Sequence, residues 1–326
     1  MAANPKSPVA TSPGLEQYHV YHAEAHVLSG NLKHPLDQPI EQYAHVVLRN
    51  RRSDHVTEMV EATSIEGLVS FQAGYTRASG SKIQKRDLWG NDHSGWVTLS
   101  TSVTEGLNVF DVITADRVVS QVSTEHAMEN GHVPKVTFLG TRFDNLRIGG
   151  YPVPVELNLT FCGDKPEGDK SYLEDSGFLG RVQKQLRGIT GTEGLPGLLK
   201  KQADANLAYI DDLKKGGNGR GNEDNKRYPK LGCSLVKSIG PIPIPGVKIF
   251  GNMIYIPDFG IVSLAELEVG CKPAGNGSSS GFSKTGSAGS KVSNYFTLTM
   301  LNMQLGCIGG GDVQVGAATA NGHTHP

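Results

Sequence analysis

Across residues 94–155 apolar and small polar residues alternate through several runs separated by Gly, Asp and Asn, beginning SGWVTLSTSVTEGLNVFDVITADRVVSQVSTEH. A period of two belongs to a strand. It puts Val97, Leu99, Thr101 and Val103 on one face, with Trp96, Thr98, Ser100 and Ser102 on the other. Two earlier runs, QYHVYHAEAHVLSG and QYAHVVLRN, flank a loop containing Pro35 and Pro39. Further strand-like runs fall at 68–75, 95–103, 108–114, 117–124, 136–139, 145–148 and 153–161, and after position 232 at 247–256, 261–269, 295–305 and 313–318. Runs this short and this regularly spaced predict an all-β fold, a β-sandwich or jelly-roll-like domain.

The period changes once. Phe178, Val182, Leu186 and Ile189 recur every three to four residues behind a cap at Asp175 or Ser176, and Gly188 and Gly191 punctuate the end. A second helix starts near Pro196, runs through Leu199, Ala203, Leu207, Ile210 and Leu213, and closes at Lys214, Lys215 and Gly216. The pair predicts an inserted helical hairpin over 170–232, which ends in the polar, glycine-rich and mobile stretch GGNGRGNEDNKRYPK. The remaining organisation is a disordered leader at 1–16, one discontinuous β domain over 17–169 and 233–319, and a disordered tail at 320–326. Residues 273–290 read as a flexible loop within it. The segment IGPIPIPG is too rich in proline for a central strand.

Composition agrees with many strands joined by tight turns, since the 326 residues include 41 Gly. Basic and acidic residues number 31 and 32, so no global field draws the chain to nucleic acid. No apolar run approaches the ~20 residues needed to cross a bilayer, and MAANPKSPVATSPGLEQ has no signal-peptide core. Cys162, Cys233, Cys271 and Cys307 lie far apart without CxxC spacing, which leaves either two disulfides of undetermined pairing or four buried thiols.

The segments GLNVFDVITADRVVSQVST, FDNLRIGGYPV, IPDFGIVSLAELEV and GGDVQVGAA, in that order, resemble the bacterial choice-of-anchor P family, whose members are mostly exported β-rich proteins with differing surface anchors. The resemblance covers 17–161 and 233–319 and leaves the helical insertion outside it. It implies export and disulfides but carries no activity over. The chain departs from the family by lacking a signal peptide and a terminal anchor. Met1 followed by AANPKS fits a mature region without its leader, with an extracellular or cell-surface location, whereas a native start at Met1 places it in the cytoplasm.

Candidate chemistry is sparse. His19, His22 and His26 crowd into YHVYHAEAH. On a strand His22 and His26 share a face about 13 Å apart with Glu24 between them, at about 3.3 Å per residue. A divalent metal there needs a histidine from a neighbouring strand, His45, His93, His126 or His132, which makes His22, Glu24, His26 and His45 the candidate ligands; the alternative is a row of exposed strand histidines. His323 and His325 form a second possible chelator in the tail. Asp111, Asp116, Asp211, Asp212, Glu223 and Asp224 read as solvated turn carboxylates rather than a catalytic pair. Trp89 and Trp96, with Tyr75 and Tyr151, are candidates for a platform that stacks on a sugar, with core or edge packing as the alternative. No HExxH or CxxC is present, and no cofactor is implied. The sequence leaves enzymatic activity open and favours a non-enzymatic extracellular structural protein, a matrix, surface-layer or fibre component that meets itself or other extracellular proteins through β edges. A metal-dependent enzyme using the amino-terminal histidines and a carbohydrate-binding module are the alternatives.

Overall fold

The structure, a computed structural model, describes residues 18–34, 37–84, 94–128, 132–216, 229–273, 292–306 and 310–325. The expected leader, the two glycine-rich loops over most of their length, Trp89, His93 and Cys307 lie outside these residues. The first strands are β1 (Tyr18–Leu32), β2 (Gln38–Tyr43), β3 (Val46–Asn50), β4 (Asp54–Val60), β5 (Thr63–Ile65), β6 (Val69–Phe71) and β7 (Ala73–Ile83). A long hairpin follows, β8 (Gly95–Val109) and β9 (Ile113–Ala127). Five short strands come next: β10 (Lys135–Thr137), β11 (Arg142–Asp144), β12 (Arg147–Ile148), β13 (Tyr151–Pro152) and β14 (Val155–Leu157). Helices α1 (Ser176–Thr190) and α2 (Gly197–Lys214) interrupt the β structure. It resumes with β15 (Lys230–Ser234), β16 (Val236–Ile239), β17 (Lys248–Phe250), β18 (Met253–Ile256), β19 (Gly260–Pro273), β20 (Val292–Leu305) and β21 (Gly311–His325).

The chain is thus all-β with a helical insertion, built as a sandwich of two antiparallel sheets. One sheet runs β17-β18-β19-β20-β21-β1-β2, with β15 beside β19 and β3 beside β1. In the other, β8 and β9 lie at the centre; β10, β11 and β12 line one side of β9, β6 and β7 line β8, and β4 closes the sheet beyond β7. The sheets meet where β20, β21 and β1 face β9, β8 and β7.

Where β1 faces β8, what fills the space between the sheets is unusual in composition. β1 contributes Tyr21, Ala23, Ala25 and Val27, while the inward face of β8 is Trp96, Thr98, Ser100, Ser102 and Thr104, all buried. The period-two pattern left open which face of β8 turns inward, and it is the hydroxyl face. The reason lies in the backbone of β1. His26 and Val27 fall between the stretch of β1 that pairs with β3 and the stretch that pairs with β2, so a carbonyl there that points toward that side has no ladder partner. Buried carbonyls must be bonded. Ser102 Oγ donates to the His26 carbonyl at 2.8 Å, and Ser100 Oγ adds a bond at 2.7 Å to the carbonyl of Glu24, where β1 is still paired with β3. Thr76 Oγ1 donates to the carbonyl of Ala44, which sits between β2 and β3, at 2.7 Å. Small side chains also let the sheets approach closely, since a Cβ on Gly80 of β7 would stand 2.3 Å from Cγ of Tyr21.

Several expected boundaries moved. The Gly and Asp expected to divide residues 95–124 into three strands sit instead inside one hairpin. Gly106, at φ +62°, is a distortion that the ladder spans, with Glu105 opposite Arg117 on one side and Leu107 opposite Ala115 on the other. Asp111 lies in the turn, where its N–H donates to Asn108 Oδ1 at 2.9 Å. The tail expected from 320 belongs to β21, which pairs with β1 as far as Tyr18 opposite His325. Its small polar residues hid a strand held by its partner. β4 was not expected at all.

The helices begin and end close to where the caps placed them. Asp175 accepts from the Phe178 N–H at 2.6 Å, and α1 buries Phe178, Leu179, Val182, Leu186 and Ile189. The hairpin is docked on the β structure. Tyr172, just before α1, packs edge-on against Phe178 and Phe296 of β20 and donates its hydroxyl to the Pro134 carbonyl at 3.1 Å. Gln185 exchanges two hydrogen bonds with the backbone of Ser234, and Arg181 donates to the carbonyls of Phe161 and Cys162. The α1 end of the insertion therefore belongs to the core, and among the described residues no helix is long and apolar enough to cross a membrane.

Candidate functional site

Alternation along β1 sends His22, Glu24 and His26 to the outer face of its sheet, opposite the inward row of Tyr21, Ala23 and Ala25. β3 runs antiparallel beside it, with Ala25 opposite Val46, which brings His45 level with His26. The expected neighbouring histidine is therefore His45. Its Nε2 lies 3.0 Å from Glu24 Oε1, and its ring meets that of His26 at 6.3 Å between centroids. His26 Nε2 is hydrogen-bonded to Ser29 Oγ at 2.9 Å. Burial lowers the His26 pKa to about 4, helped by His45 and opposed by Glu24. Burial also lowers that of His22, partly offset by Glu24. Glu24 finds its partner in His45 of the neighbouring loop. Among the described residues no three metal-ligating side chains converge.

Other candidates fall elsewhere. His126 faces inward, its ring 4.7 Å from that of His19. Trp96 is only 4% exposed and stacks on His19 at 5.2 Å and 9°, so its indole packs in the core and offers no face to a sugar. Cys162, Cys233 and Cys271 are free, so the two disulfides expected as one possibility are not formed in this structure. Burial pushes the Cys162 thiol up to about 12 and that of Cys271 to about 11. It also raises Cys233, whose Sγ donates to the Leu267 carbonyl at 3.4 Å. Among the described residues the candidate carboxylates find other partners: Asp111 is bonded by Asn108, Asp116 by Asn145 and Asp211 by Gln183, while Glu223 and Asp224 lie outside the described residues.

The feature that sequence reasoning missed is β4. Among the described residues it pairs with β7 alone, from Asp54 opposite Gly80 to Val60 opposite Gly74. Six of its seven residues are exposed. Of the strands with a single strand partner it is the longest, and it contains neither Gly nor Pro. β2 carries Pro39, while β5, β13 and β17 span two or three residues. Such shortening and proline are how sheets usually blunt an edge. β4 also has apolar side chains in the open: Met59 is 79% exposed, and Tyr75, opposite it on β7, is 40% exposed. A signal did exist in the β-branched Val56, Thr57 and Val60. A strand exposed on both faces has no apolar alternation to betray it.

No curated protein and no solved structure matches the chain. A family model does match, over residues 19–270, from the first strand into β19. The chain belongs to the family described as "Domain of unknown function (DUF8256)".

Proposed function

We propose that this protein is a non-enzymatic structural component of an extracellular or cell-surface assembly, a matrix, surface layer or fibre, and that it joins other chains by extending a sheet. The observation that carries this reading is β4, a seven-residue strand with one unpaired edge among the described residues and with Met59 and Tyr75 open beside it. An unpaired edge presents a row of N–H and C=O groups that a further strand can satisfy, and the side chains on either face then set which strand fits. The order of segments resembling an exported family supports the location.

The reading is tested by size-exclusion chromatography with light scattering, together with electron microscopy of concentrated protein. Mass that grows with concentration supports it. A strict monomer at every concentration overturns it.

A further inference from the structure

We infer that the strand which fits β4 is β4 of a second copy, paired antiparallel about a two-fold axis through Thr57. This rests on the assembly reading above and names its partner. A two-fold normal to the sheet keeps both copies' outer faces on the same side, so a residue can lie opposite only residues of its own parity. Three registers pair five or more residues of the segment Asp54–Val60.

Charge selects among them. A centre at Val56 sets Asp54 against Glu58, and a centre at Glu58 sets the two glutamates against each other. Like charges directly opposite across a strand pair are destabilising. A centre at Thr57 pairs all seven residues, with Asp54 opposite Val60, His55 opposite Met59, Val56 opposite Glu58 and Thr57 opposite itself. No like charges face one another in that register. Each Met59, which already lies beside Tyr75 of its own chain, gains the partner's His55 on the same face.

A single seven-residue strand pair buries less surface than most stable dimers, so the contact should be weak and dependent on concentration. It would join the two ten-stranded sheets into one continuous sheet. Thr57 is exposed, so substitutions there should leave the fold intact.

The test is sedimentation equilibrium of the full chain up to about 1 mM, using wild type, Thr57→Lys, Thr57→Glu and their equimolar mixture. Circular dichroism checks that each variant is folded. The inference expects wild type to associate, each single variant to lose association by tenfold or more, and the mixture to recover it, because lysine then faces glutamate. If wild type associates and the two variants do so equally well, the β4 register is wrong while the assembly reading stands. If the variants dissociate and the mixture does not recover, the axis does not pass through Thr57. A wild type that never associates overturns the assembly reading itself.

Discussion

Ser102→Ala should weaken the fold far more than the loss of one small hydroxyl from a sheet suggests. Ser102 is fully buried on the inward face of β8, and its Oγ donates at 2.8 Å to the carbonyl of His26. That carbonyl falls between the β3-paired and β2-paired stretches of β1, so no strand on that side can replace the donor. A typical hydrogen bond contributes about 0.5–1.5 kcal/mol net, and leaving a buried acceptor unbonded costs about 1–3 kcal/mol. The expected loss is about 2 kcal/mol. For a chain of this size that corresponds to a fall in Tm of about 3 °C. Urea denaturation followed by circular dichroism measures the first quantity, and a thermal scan the second. Ser102→Val provides the sharper contrast. If the interior of β8 merely tolerated small groups, valine would bury more apolar surface and stabilise. The geometry instead makes valine at least as damaging as alanine, because it loses the donor and adds volume between closely approached sheets. An alanine variant as stable as wild type, or a valine variant more stable, would refute the role assigned to the hydroxyl face.

Three further outcomes follow from the same structure. His26 has a folded pKa of about 4 against an ordinary 6.5, so the unfolded chain binds its proton first. Its contribution is fully present above about pH 6.5 and is lost as pH falls toward 4, by about 3 kcal/mol; denaturation of wild type and His26→Gln at pH 7.5 and 4.5 should show a smaller pH dependence in the variant. Gly80→Ala places a methyl 2.3 Å from the Tyr21 ring and should cost about 1–3 kcal/mol by forcing the sheets apart, measurable by urea denaturation. Native protein at pH 8 should leave Cys162, Cys233 and Cys271 unlabelled by iodoacetamide, and unfolded protein without reductant should label all three, as read by peptide mass; labelling of native Cys162 would contradict its burial.

The parts legible in the sequence were those where burial is one-sided. α1 shows its apolar stripe and its Asp175 cap because one face meets the core and the other water. β1 alternates for the same reason, and the meeting of Glu24 with a histidine was foreseeable in kind, though only the pairing of β3 with β1 identifies it as His45. Three features resisted. The inward face of β8 reads as polar because its hydroxyls serve backbone carbonyls on another strand, a partnership separated by 76 residues for Ser100 and Ser102. The end of β21 looks like a tail because its residues are small and polar, and it is a strand only by virtue of β1. β4 shows no periodicity because neither face is covered, and the strand through which assembly is proposed is for that reason the one least visible in the sequence.

Hydrogen–deuterium exchange of residues 54–60, followed as protein concentration rises, tests the proposed edge assembly most directly. The outward-pointing amides of β4 should exchange rapidly in dilute solution and become protected as the protein is concentrated, while β8 and β20 in the sandwich stay protected throughout. Exchange of β4 that is fast and unchanged at every concentration would contradict assembly through this edge.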